Sequence, residues 1–113
     1  MAHYLEALKA NPYYVPALNN LAWILSTHPQ AELRSGPEAV TMATRACTLT
    51  QWKSPALIAT LGAASAEAGK FEDAVNYTER ALQLTKTSTS NDTTELERML
   101  QEFKARQPHR AKF

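Results

Sequence analysis

The sequence predicts an all-α protein built from antiparallel helix hairpins. Three observations carry this. Apolar residues recur at three- and four-residue spacing in separate stretches of the chain. The signals between those stretches are those of helix ends, with Ser-Pro or Ser-Gly-Pro before a stretch and Gly after one. Small residues also fall on the apolar stripes, where they leave room for two helix backbones to approach closely.

The clearest hairpin spans residues 55–85. Ser54 can cap its first helix, and Pro55 suits the first position, where no backbone N–H is needed. Leu57, Ile58, Leu61, Ala64, Ser65 and Ala68 form one stripe, and Gly69 supplies the left-handed residue that ends the helix. Phe71, Ala74, Val75, Thr78, Ala81, Leu82 and Leu84 carry the stripe of the second helix. The pattern Ile58-x-x-Leu61-Gly62-x-x-Ser65, then Ala74-x-x-x-Thr78, then Ala81 resembles the tetratricopeptide repeat (TPR). Ser65 and Thr78 stand where that repeat usually has aromatics, and Lys86 stands in place of its closing Pro. The resemblance implies a right-handed superhelical solenoid of antiparallel hairpins.

Taken in order, residues 2–12 resemble the second helix of such a repeat, with Tyr4 and Ala7 in phase and Pro12 as the closing residue. The chain then begins in mid-repeat, so either Met1 is an artificial boundary or a half-repeat serves as the cap. Tyr4, Leu5 and Leu8 form its outward apolar face and are candidates for self-association as a homodimer. Residues 15–50 read as an imperfect repeat, with Leu18-x-x-Leu21-Ala22-x-x-Leu25 and then Ala39-x-x-x-Ala43 and Ala46. Leu21 precedes Leu61 by 40 residues, but Ala39 and Ala46 precede Ala74 and Ala81 by 35. The excess locates an inserted loop at 28–35, which ends at a capping box formed by Ser35 and Glu38. The wording of this repeat resembles a bacterial TPR subtype with a long loop inside the repeat.

Residues 54–85 complete the second repeat, and the polar stretch 86–94 reads as a linker. Asp92 and Glu95 form another capping box. Residues 95–106 then carry Leu96, Met99, Leu100 and Phe103 on one face, as a capping helix over the end of the stack requires. The basic tail that follows is expected to be solvated.

Composition narrows the function classes. At 113 residues the chain is one domain or a fragment of a larger one, and a 44% hydrophobic fraction suffices for a core. A formal net charge of +1 gives no general attraction to nucleic acid or membranes. One cysteine excludes an internal disulfide and a multi-cysteine metal site; Cys47, beside Ala43 and Ala46, reads as a buried, inert thiol. His3, His28 and His109 lie in separate segments without metal-ligand or catalytic spacing, and the three glycines form no phosphate loop. No cofactor is expected. The compartment is left open, with the cytoplasm preferred.

The resemblance places the first helices of the repeats on a concave surface that holds a peptide or a partner helix. Off the core stripe, these helices offer Asn19, Asn20, Trp23, Ser26 and Thr27 in one repeat and Ala59, Ala63, Ala66 and Glu67 in the other. Asn20 resembles one rung of the asparagine ladder with which some TPR arrays hold a peptide backbone, although Thr60 interrupts the series. Trp23 is either an aromatic anchor for a partner or a residue packed under the inserted loop, against Pro29 and Leu33. The Lys, Arg and Asn set of a carboxylate clamp is not present. The reading is therefore a non-catalytic interaction or scaffold module. The alternative is a substrate-recognition region of a larger enzyme, and nucleic-acid binding through Lys104, Arg106, His109, Arg110 and Lys112 is a distant third.

Overall fold

The computed structural model describes residues 2–86 and 93–111, and the side chains of 5–85 and 93–111. The Tyr4 side chain, Asp92 and most of the expected linker lie outside the described residues. The rest is all-helical: α1 (Ala2–Ala10), α2 (Val15–Thr27), α3 (Gly36–Leu49), α4 (Pro55–Glu67), α5 (Phe71–Lys86) and α6 (Thr94–Lys104), with a short 3-10 turn at Ala31–Leu33.

The organising element is α4. Ser54 caps it, accepting a hydrogen bond from the Leu57 backbone N–H, and Pro55 opens it, as its sequence requires. Gly69 closes it at φ 83°, with the Lys70 N–H bonded back to Ser65 O at 2.8 Å. The sequence gives α4 one apolar stripe, but all of residues 57–66 are buried. The reason is packing on every side, against α2, α3, α5 and the edge of α6. Ala59, Ala63 and Ala66, which the sequence placed on an open groove floor, are therefore interior.

Close approach depends on three small residues. A Cβ on Gly62 would lie 2.7 Å from Thr78 Oγ1 and 3.3 Å from Ala74 O, and Ala74 itself is fully buried. Thr78 turns its hydroxyl onto Ala74 O at 2.8 Å, so it fills the place of the expected aromatic without an unpaired polar atom. A Cβ on Gly36 would lie 2.6 Å from Ala68 N. That contact sets the start of α3 against the end of α4. The capping box expected at Ser35 does not form: its side chain makes no capping bond, and its backbone N–H donates to Leu25 O at 2.8 Å instead.

The ends of the fold differ from the sequence reading in detail. In α1, Leu5 is exposed, but Leu8 packs into the core beside α2. At the other end, Met99, Leu100 and Phe103 are buried and Leu96 is half-buried, so α6 does cover the hairpin α4–α5. Cys47 is fully buried, and desolvation pushes its thiol up from 9.0 to about 11 in spite of the Arg80 guanidinium, which acts in the opposite direction.

Two expectations follow. Gly36→Ala and Ala74→Leu should each cost roughly 1–3 kcal/mol in urea melts. Gly62→Ala should cost less, because Thr78 Oγ1 can rotate away whereas the Ala68 backbone cannot. The neutral Cys47 thiol is favoured by the fold, so its contribution to stability is complete below its unfolded value of 9.0 and is lost as pH rises to about 11. The parent should lose stability relative to Cys47→Ala across that window, as read from paired melts at stepped pH.

Candidate functional site

Two of the expected ligand-contact residues, Trp23 and Glu67, lie where the C-terminal ends of α2 and α4 meet α6 and the tail. Trp23 comes from α2 and Glu67 from the last position of α4. Trp23 joins Ala63, Ala66, Met99 and Phe103, and its ring centroid lies 5.6 Å from that of His109. The small alanines of α4 leave the space, and the apolar stripe of α6 and the indole fill it.

The expected solvated tail is instead docked here. Arg106 adopts φ 58° and the Gln107 N–H bonds back to Glu102 O at 2.9 Å, which ends α6 and turns the chain. Pro108 keeps the following segment out of helix. His109 is 4% exposed, with Nδ1 2.7 Å from Glu102 Oε1 and Nε2 3.1 Å from Glu95 Oε1. The Glu102 contact is a hydrogen bond, and the Glu95 contact is an ion-pair distance. Arg110 Nη1 lies 2.8 Å from Glu67 Oε1 and 3.5 Å from Ser26 O, the former an ion pair without hydrogen-bond alignment. The Ala111 N–H donates to Thr27 O at 3.0 Å.

These contacts use what helix ends offer. The last carbonyls of α2 have no partner within the helix and carry the negative end of its dipole, so an N–H and a guanidinium suit them. Glu67 is also paired with Arg34, whose Nε is 3.3 Å from Oε2. Arg34 in turn donates through Nη1 to His28 O at 2.7 Å and Pro29 O at 3.0 Å, which fixes the inserted loop. One carboxylate thus joins the loop before α3, the end of α4 and the tail.

Thr27 is fully buried and bonds Trp23 O at 2.6 Å, so its hydroxyl is not offered to a ligand. Ala59 and Ala63 are also buried. Asn20 is exposed. Asn19, one turn before Trp23, is half-buried, and its Oδ1 has no hydrogen-bond partner among the described residues. A cleft of about 270 Å³ opens beside the tail, lined by Trp23, Glu95, Arg98, His109, Arg110 and Ala111.

The glutamates of α6 and the tail's role were missed in the sequence. Three carboxylates and a basic segment without acids between residues 104 and 113 were the available signal. At the far end, Tyr13, Tyr14 and Leu49 are exposed together with Leu5, and Arg45 lies over the Tyr13 ring at 5.9 Å. Among the described residues no three His, Cys, Asp or Glu side chains are grouped to hold a metal ion, and no helix is long and apolar enough to cross a membrane. Comparison with protein-family models, with curated proteins and with solved structures finds no match.

Replacing Glu67 by Ala removes the carboxylate that pairs with both Arg34 and Arg110. Stability should fall by about 1–3 kcal/mol, and the Trp23 indole resonance should shift as the tail loosens, both measurable on the same sample.

Proposed function

We propose that this chain is a non-catalytic interaction module of the tetratricopeptide type: a right-handed superhelical stack of hairpins that holds a peptide or a partner helix on its inner side. The observation that supports this reading is the layering of the helices. The first helices of the hairpins, α2 and α4, touch each other, and α4 also touches α6, whereas no contact of comparable extent joins the second helices α3 and α5. A stack whose first helices lie closer together than its second helices curves with the first helices inside, and stacked helix pairs use such inner surfaces for binding. Trp23, Asn20 and Glu67 lie on those first helices, and an indole beside a carboxylate and free amides is suitable chemistry for an extended backbone with a few anchoring side chains.

The test is selection of a displayed peptide library on the full chain, followed by hydrogen exchange with and without the selected peptides. Protection is expected in the C-terminal halves of α2 and α4 and in α6. Binders that leave those helices unprotected, or a library that yields none, would overturn the reading.

A further inference from the structure

We infer that the face formed by the ends of α2, α4 and α6 is selective for an extended basic peptide, and that residues 107–111 occupy it as an intramolecular stand-in. This rests on the interaction reading above and specifies the ligand class.

The argument is charge complementarity on a built surface. Glu67, Glu95 and Glu102 supply the carboxylates, and the tail presents His109 to two of them and Arg110 to the third. Trp23 gives the imidazole a flat neighbour. The main chain is held separately, through the Ala111 N–H on Thr27 O. A backbone contact of this kind does not depend on side-chain identity, whereas the three carboxylate contacts do. The face therefore discriminates by its charged contacts, with the ring beside Glu102 as its most enclosed position and an Arg opposite Glu67 as its second. The neighbouring cleft leaves room for side chains larger than those of the tail.

A tethered segment competes at an effective concentration on the order of millimolar. The chain's own tail thus hides the site from a free peptide, and weakening the tail should reveal it.

The probe is the labelled peptide Gln-Pro-His-Arg-Ala, followed by fluorescence anisotropy with the full chain. A His109→Ser, Arg110→Ser double variant should bind it roughly tenfold more tightly than the parent does. Adding Glu67→Gln to that variant should reverse the gain, and a control peptide with Glu in place of both His and Arg should not bind. Equal affinity for parent and double variant would overturn the inference. So would equal binding of the acidic control, or light scattering that shows two chains joined through their tails. If circular dichroism shows the double variant unfolded, the parent decides: excess basic peptide should move the indole N–H resonance of Trp23 and leave that of Trp52 in place, and an unmoved Trp23 overturns the proposal. Selected peptides that are acidic or apolar yet protect α2 and α4 would overturn this inference while leaving the interaction reading intact.

Discussion

The fold depends on how closely other backbones can approach α4. Its ten buried central residues include four Ala, with Gly62 at the contact with α5, and Gly36 brings the start of α3 onto the end of α4. Close packing of this type gains dispersion contacts over long stretches of backbone, but it has least slack at Gly36, where an added methyl meets the Ala68 backbone. The meeting of α4 with α2 and α6 follows from it: small residues on α4 let helices on both sides come near, and the ends of those helices are brought to one face.

The candidate site is a by-product of that convergence. Helix C-termini leave carbonyls without internal partners, and here α2 presents Ser26 O and Thr27 O beside the carboxylate of Glu67. Electronegative groups accumulate at one place without any one residue being strained to put them there. The chain meets the demand with its own cations, Arg34 from the loop and Arg110 from the tail.

Much of the helical layout was legible in the sequence because it rests on local rules. Ser54-Pro55, Gly69 and the stripe Leu96, Met99, Leu100 and Phe103 each declare their role within one or two helical turns. What was not legible is what crosses between distant segments. The all-round burial of α4 was missed because Ala residues on a helix flank look neutral until another helix is placed on them. For Trp23 the sequence offers a partner or the nearest loop, since spacing alone cannot show that His109 and Phe103 reach it. The tail has no apolar periodicity, and its docking depends on charges and orphan carbonyls that only the folded helices bring together. Ser35 had the residues of a capping box, but the Gly36 contact with Ala68 governs that end of the helix.

The return of the tail to α2 also has a kinetic consequence. Most helix contacts join neighbours in the chain, and such local contacts form early and cheaply. The contact of Arg110 with Ser26 spans 84 residues. Closing so long a loop through an open chain is slow, yet it becomes a short step once α2 to α6 have assembled and carried the two ends together. The tail should therefore be the last segment to dock during folding and the first to detach by local opening, a small cooperative unit whose lifetime is set by a few polar contacts rather than by the global stability of the protein.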